Sequence, residues 1–539
     1  MLRKKLLLVL SIYSTSAFAQ IPPEASVGFE SINTNDMRAV LGFLANDALE
    51  GRETGERGLD LAARFLETQF SLNGLTATPG SQSMLQKFDL VMAQVNENTA
   101  ITMQTQKDPE QHYHWLKDFY GLNLGVSSSS IQGEVVFAGY GISAPEEKWD
   151  DYKGLDVRNK LVLLLSSRGL NSVQEGKLAA LRTKLKFDNN QQTRTAQEKG
   201  ARAVLIVGPA SIPDALREFR RFVGGPRMSL AQGSTRESSL INIVISETMA
   251  DALLSSAGAT AQSIKEKIIK SNKPMSRKLG KTSMRINIEI KQWPAVSQNV
   301  VACLDGSDPI LKNQFVVFSA HYDHLGKRDD GTIFNGADDD GSGTTAIVEL
   351  AQAYASNPIR PKRSLLFIAH AGEEKGLLGS EYFTSNPLVP LENITTNLNI
   401  DMIGRNDSNS VYIIGSDHLS SELHHLNEDA NKTIGLNFDY TYNDVNDPNR
   451  FYYRSDHYNF AKHGIPIIFY FTGTHEDYHR PEDDVEKINF DKMQKITRLI
   501  YLTGWQAANL DHKLIVDRTP PQTETSDGRS AGGTARSRQ

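Results

Sequence analysis

The chain has 539 residues, a formal net charge of −6, 39% apolar residues and one cysteine. That length exceeds what one hydrophobic core usually serves, so two or more domains are expected. The absence of a basic excess argues against nucleic acid as a partner, and a lone cysteine, Cys303, excludes an intrachain disulfide.

Taken in chain order, the first twenty residues stand apart. Arg3, Lys4 and Lys5 precede an apolar run from Leu6 to Ile12, and Ala17-Phe18-Ala19 forms a small-x-small cleavage site. This is the pattern of a secretory signal peptide, with the mature chain starting near Gln20 and exported to the periplasm or the medium. The apolar run is shorter than the ~20 residues of a spanning helix. Next, Val40, Leu41, Phe43 and Leu44 repeat at helical spacing behind a capping Asp36, and Leu59, Ala62, Phe65, Leu66 and Phe70 form a second stripe. The GRETGERG turn between them, with Arg52, Glu53, Glu56 and Arg57, reads as a solvated link. Phe88 to Met103 alternates as strand, and the serine run Ser127 to Ser130 marks a boundary. Beyond it lie the short β runs GEVVFAGYGI, KLVLLLS, ARAVLIVG and LINIVIS, with a polar helical stretch from Gln174 to Lys199. The expected organisation is a signal peptide (1–19), the first part of a catalytic domain (20–126), an inserted β-rich module without chemistry (127–283), the main catalytic part (284–511) and a disordered tail (512–539).

The chemistry concentrates in FVVFSAHYDH, NGADDDGSG, LLFIAHAGEEKGLLGS and LNIDMIG, where apolar runs end in bursts of His, Asp or Glu. Open α/β sheets collect function where their strands finish. His321, Asp323, Asp339, Glu373, Glu374 and Asp401 together would be too dense in negative charge without cations. Zinc takes His nitrogen and carboxylate oxygen, and hydrolytic sites leave a position open for water. Two zinc ions ~3.5–4 Å apart need two terminal His, two terminal carboxylates and one bridging carboxylate. The chain offers His321, Asp339, Glu374, Asp401 and His479. In the pair Glu373-Glu374 one carboxylate can hold a metal while its neighbour takes a proton; without metal, one of the two would stay protonated. Asp323 is placed to accept the His321 N–H and fix its tautomer.

The set AHYDH, GADDDGSG, GEEKGLLGS, NIDMIG and DYHRPEDD resembles the secreted di-zinc aminopeptidase family, whose relatives include aminopeptidase Y, glutamate carboxypeptidase II and glutaminyl cyclase. LGFLANDALEGRETGERG resembles the family's N-terminal segment, and the insert resembles a protease-associated domain. The resemblance implies an α/β, mixed-sheet zinc exopeptidase fold (phosphorylase/hydrolase-like) with two Zn2+ per chain and peptide substrates. It makes His321, Asp339 and Asp401 metal ligands with Asp339 bridging, adds Glu374 and His479 as the remaining ligands, and makes Glu373 the general base. It places Tyr478 at the tetrahedral oxyanion and implies a cis Asp339–Asp340 bond. Family frequency favours an aminopeptidase. The alternative is a carboxypeptidase of the glutamate carboxypeptidase type, for which Arg405, Arg450 and Arg454 are candidate carboxylate anchors. Glutaminyl cyclase ranks lower because it normally lacks the large insert. A non-catalytic binding protein ranks lower because no ligand or base position is lost.

Other readings of the same letters are weaker. HEDYH (His475 to His479) matches the single-zinc H-E-x-x-H motif, which works only on a helix, whereas Gly473 and Pro481 flank it. A calcium loop built on DDDG would need Gly336 and Ile347 as ligands. Glu482, Asp483 and Asp484 read as a solvated face. His324, His424, His425, His457 and His463 read as ordinary histidines, with His457 a candidate for the pocket wall.

Overall fold

The computed structural model describes residues 21–519 except 106–108, 126, 169–175, 186, 218–222 and 233–239. The expected signal peptide and the tail beyond 519 lie outside the described residues. The chain forms two compact units, one built from the residues up to Asp89 and from Val296 onward, the other from Leu90–Ala295.

The second unit therefore starts at Leu90 rather than 127 and ends at Ala295 rather than 283. The serine run is not a linker, because Ser129 and Ser130 open the strand Ser129–Ala138, which pairs with Ser276–Ile288. Ala100–Gln104, Gln111–His114 and Phe119–Asn123 belong to the same eight-stranded sheet. Its middle strands, Ser129–Ala138, Leu161–Leu165, Ala203–Val207 and Ile241–Ile245, run parallel. Side chains alternate across them: Leu161 and Leu163 join one apolar cluster and Val162 and Leu164 the other, so both faces are covered. The polar stretch before Lys199 forms two helices, Gly176–Lys184 and Asn189–Glu198.

In the first unit, helix α1 (Thr34–Leu44) is capped by Asn33 rather than Asp36, since the Asn33 side chain accepts from the N–H groups of Asn35 and Asp36. Helix α2 (Arg57–Leu72) buries Leu59, Ala62, Leu66 and Phe70, close to the expected stripe. The sheet strands are β1 (Leu85–Val95), β2 (Ile290–Leu304), β3 (Phe315–His321), β4 (Ser364–His370), β5 (Ile394–Ile400), β6 (Ser410–Ile414), β7 (Asn437–Asp439) and β8 (Ile467–Phe471). They pair in the order β1-β2-β4-β3-β5-β8-β6-β7, and Leu90–Ala93 of β1 pair in turn with a ninth, edge strand, Arg227–Leu230. The four central strands β4, β3, β5 and β8 are parallel, and β2 and β6 flank them antiparallel. Every residue of β3, β4 and β5 is buried, beneath helices α3 (Gly343–Ser356) and α4 (Leu378–Ser385) and the closing helix α5 (Phe490–Asn509). Each fully buried Val, Leu or Phe contributes ~1.5–3 kcal/mol, so these strands are a stiff base for the loops at their ends. Cys303, in β2, is buried as expected of a small hydrophobe. Among the described residues, no helix is long and apolar enough to cross a membrane.

Candidate metal centre

Because β3, β4, β5 and β8 are parallel, their C-terminal ends share one edge. His321 ends β3, Glu373 and Glu374 follow β4, Asp401 follows β5, and the loop after β8 carries His479. His321 Nε2 lies 3.3 Å from Asp339 Oδ1 and 3.6 Å from Asp401 Oδ1. His479 Nε2 lies 3.1 Å from Asp339 Oδ2 and 3.2 Å from Glu374 Oε2. Two ligands ~2.0–2.1 Å from one tetrahedral ion stand about 3.3 Å apart, so the donor set has the spacing zinc requires. All five residues named as ligands from sequence come together, and Asp339 faces both groups, one through each oxygen. His324, read as an ordinary histidine, joins them: it is fully buried, with Nδ1 2.8 Å from Glu374 Oε1. The available signal was its place in AHYDH, three residues after His321.

The electrostatics show how strongly the set calls for positive charge. Burial works against ionised Asp339, but hydrogen bonds from His321 and His479 outweigh it and hold the carboxyl well below its ordinary range. His479 is pushed up to about 10: burial opposes this, while Glu374 and Asp339 dominate. Glu374 falls to about 2 against burial and the Asp339 charge, held down chiefly by His479 and by His324. His321 is raised well above its usual value because Glu373 and Asp401 outweigh burial. Glu373 is raised by burial first and then by the neighbouring carboxylates of Glu374, Asp401 and Asp456, with His321 opposing.

The acids of GADDDGSG divide their work. Asp340 Oδ2 accepts from the His321 N–H (3.2 Å), and its Oδ1 accepts from Gly343 (2.9 Å) and Met402 (3.1 Å), so it ties three loops together. Asp338 Oδ1 accepts from the Gly404 N–H at 2.6 Å, and its Oδ2 lies 3.4 Å from His475 Nε2. The Asp339–Asp340 peptide bond is cis. Asp483 was read as solvated, yet it is fully buried and accepts from the backbone N–H groups of Asp338 and Asp339, each at 3.1 Å. Asp323 also differs in detail from expectation. Its backbone carbonyl lies 3.1 Å from His321 Nδ1 and its carboxylate Oδ1 3.7 Å, so the carbonyl is the nearer acceptor for the ring N–H. The carboxylate accepts from the Glu373 N–H (3.1 Å) and from Thr54 Oγ1 (2.8 Å), which places the candidate base.

Arg52 corrects the reading of GRETGERG as a solvated link. It is 1% exposed, and Glu50, Gly51 and Arg52 all take positive φ, at 49°, 72° and 51°. That turn carries the guanidinium inward, where it donates to the carbonyls of Tyr322 (2.8 Å), Asn335 (2.7 Å), Gly336 (3.0 Å) and Leu44. Burial pushes its pKa down to about 10, and Asp323, Asp340, Asp339 and Asp483 hold it up. The only pointer to this role in the sequence was the segment's resemblance to a family N-terminus.

Residues 475–479 form turns rather than a helix, and His475 and His479 face different carboxylates, so the single-zinc arrangement is not built. The Tyr478 ring stacks on His479, with centroids 3.9 Å apart. Burial raises its phenol well above the ordinary value, as do Asp339 and Glu374. Of the candidate carboxylate anchors, Arg405 is committed to Asp477 at 2.7 Å, while Arg450 lies over Tyr453 and Arg454 over Phe451. His457 is a core residue, stacked on Phe469 and donating from Nε2 to the Tyr452 carbonyl at 2.8 Å.

Residues 299–503, which include every candidate ligand, match the family described as Peptidase family M28. Over 228 residues the chain is 27% identical to aminopeptidase YwaD of Bacillus subtilis (strain 168), covering 40% of this chain and 46% of that protein. It is 31% identical over 194 residues to leupeptin-inactivating enzyme 1 of Streptomyces exfoliatus, covering 36% and 39%. The chain thus spans less than half the length of these two curated relatives. The solved aminopeptidase from Aneurinibacillus sp. strain AM-1 is similar with a TM-score of 0.55 at 18% identity, covering 92% of this chain and 98% of that one, a likeness in fold alone.

Proposed function

We propose that this chain, which carries a peptidase family M28 domain at residues 299–503, is an exported di-zinc aminopeptidase. The observation that supports this most directly is Asp339, with one oxygen toward His321 and the other toward His479. In this reading His321, Asp339 and Asp401 hold one ion, and Asp339, Glu374 and His479 hold the other. When bound, the two ions supply a water of lowered pKa and polarise the scissile carbonyl. Glu373 would accept a proton from the attacking water and return it to the leaving amine. Its raised proton affinity suits a group that must both accept and return a proton. Tyr478, kept protonated by burial, donates to the developing oxyanion. Asp323 fixes the backbone of the base. The substrate is a peptide with a free N-terminus. The unit from Leu90 to Ala295 is read as a protease-associated domain, and the first nineteen residues as a signal peptide.

The test uses amino-acid amides and their N-acetylated counterparts, assayed before chelation, after it, and after zinc is returned. Cleavage of the free amides only, lost on chelation and restored by two equivalents of zinc, is expected. Cleavage of N-blocked peptides from the C-terminus would move the assignment to a carboxypeptidase. Glu373→Gln should lose roughly 10²–10⁴-fold in turnover, the usual scale of general acid–base catalysis, while retaining both ions.

A further inference from the structure

We infer that Asp477 is a positioning residue: anchored by Arg405, it holds the turn that carries Tyr478 and His479 at the candidate metal centre. The inference rests on the di-zinc reading above. The loop that follows β8 is fastened at three places. At its start the Asn406 amide donates to the carbonyls of Thr472 (2.8 Å), Gly473 (3.2 Å) and Thr474 (3.3 Å). At its end Asp483 accepts from the backbone N–H groups of Asp338 and Asp339. Tyr478 and His479 lie between those points, and there the fastening is the Asp477 carboxylate. Its Oδ2 accepts from Arg405 Nη2 at 2.7 Å, and its Oδ1 lies 2.9 Å from Lys487 Nζ.

The backbone of the turn cannot do this alone. The Tyr478 N–H donates to the His475 carbonyl (3.1 Å) and the Arg480 N–H to the Asp477 carbonyl (2.9 Å), but these bonds close the turn on itself and tie it to nothing outside. His479 takes a positive φ of 58°, a left-handed conformation that a residue other than glycine keeps only where its surroundings impose it. The two cations differ in depth. The Arg405 side chain is 12% exposed and that of Asp477 9%, whereas Lys487 is 41% exposed. Removing one partner of a shielded pair costs far more than removing one of an exposed pair, so Arg405 is the anchor. It is itself fixed, its carbonyl accepting from Lys492 Nζ at 2.5 Å. Its other terminal nitrogen, Nη1, lies 3.9 Å from Asp483 Oδ1, beyond hydrogen-bond reach. Arg405 stands four residues after Asp401 in the loop that leaves β5. The pair therefore ties the loop of a ligand of the first ion to the loop of a ligand of the second.

The experiment titrates zinc into metal-free wild type, Asp477→Asn, Arg405→Met and Lys487→Met against a chromophoric chelator, then measures kcat and KM on an amino-acid amide at saturating zinc. Wild type should take two equivalents. Asp477→Asn and Arg405→Met should each lose about 10–100-fold in affinity for one equivalent and keep the other within about threefold, the scale for groups that orient a metal's ligands. With both ions bound, kcat should fall about tenfold or more while KM stays within about threefold, because Tyr478 acts in the transition state. Lys487→Met should bind zinc as wild type does. Joining Asp477→Asn to Arg405→Met should add little to the larger single loss, as for two ends of one bond. Metal-free circular dichroism checks the fold; should Arg405→Met not fold, Asp477→Asn and Lys487→Met make the same comparison. Unchanged zinc binding by Asp477→Asn would overturn the inference, as would an equal loss from both equivalents, the mark of a general loss of stability. A fall in Lys487→Met as large as in Asp477→Asn would overturn the place given to Arg405. Uptake of fewer than two equivalents by wild type would instead remove the di-zinc reading itself.

Discussion

Replacing Arg52 by methionine takes a donor away from four carbonyls, those of Leu44, Tyr322, Asn335 and Gly336. The Gly336 carbonyl keeps the Gly341 N–H at 3.1 Å; a buried carbonyl left without a donor costs ~1–3 kcal/mol, so the other three together amount to roughly 3–9 kcal/mol. Local relaxation and relief of the guanidinium's own burial push the net loss to the low end. About 4–5 kcal/mol is expected, near the upper limit for single substitutions. In a unit of this size each kcal/mol moves the melting temperature by ~2 °C, so Arg52→Met should melt about 8–10 °C lower. The protein must be metal-free, because bound ions add stability by mass action and mask the difference. Arg52→Lys keeps the charge but replaces a planar fork of five donors with a single ammonium, so it should recover less than half of the loss. A drop below ~2 °C for Arg52→Met, or full recovery by Arg52→Lys, would refute the idea that this side chain braces the two metal-binding loops.

Two pH effects follow from the buried groups. In the metal-free protein His479 holds its proton up to about 10, so zinc must expel that proton. Apparent affinity should climb with pH toward that value, and calorimetry in two buffers of different ionisation enthalpy should detect proton release; equal heats in both would contradict it. In the second unit, burial pushes Asp151 to about 7, against hydrogen bonds from the Ile142 N–H and Trp149 Nε1. The folded carboxyl keeps a proton that the unfolded chain releases above about pH 4, so stability falls between pH 4 and 7. That unit should melt higher at pH 5 than at pH 8, and Asp151→Asn should flatten the difference.

Of the five candidate ligands, His321, Glu374 and Asp401 were legible because each sits at or just past the end of an apolar run, and parallel strands bring such points to one edge; Asp339 and His479 lie in loops and were reached through the motifs. The identity of the strands told which letters would meet. Arg52, Asp483 and His324 were not legible in that way. Arg52 and Asp483 lie in polar runs whose composition is that of a solvated surface, and only tertiary packing turns them inward. His324 is a single imidazole in a motif already credited with a ligand, and nothing local marks it as buried beside Glu374. The domain boundary near 127 failed for a related reason: serines that open a strand look, by composition, like serines that link domains. The single-zinc motif was excluded correctly from Gly473 and Pro481, because helix geometry is a local property.

The unit that carries the candidate metal centre is assembled from two stretches separated by more than two hundred residues of continuous second unit. On the ribosome, the stretch bearing α1, Arg52 and α2 emerges long before the strands it must brace exist. The intervening segment, being uninterrupted, is able to close its own core first, as folding domain by domain would have it. Until β3 and its loop emerge, the guanidinium of Arg52 has only the Leu44 carbonyl among its final acceptors within reach. Completion of the candidate metal centre is thereby deferred to the last third of synthesis, where Glu374, Asp401 and His479 lie.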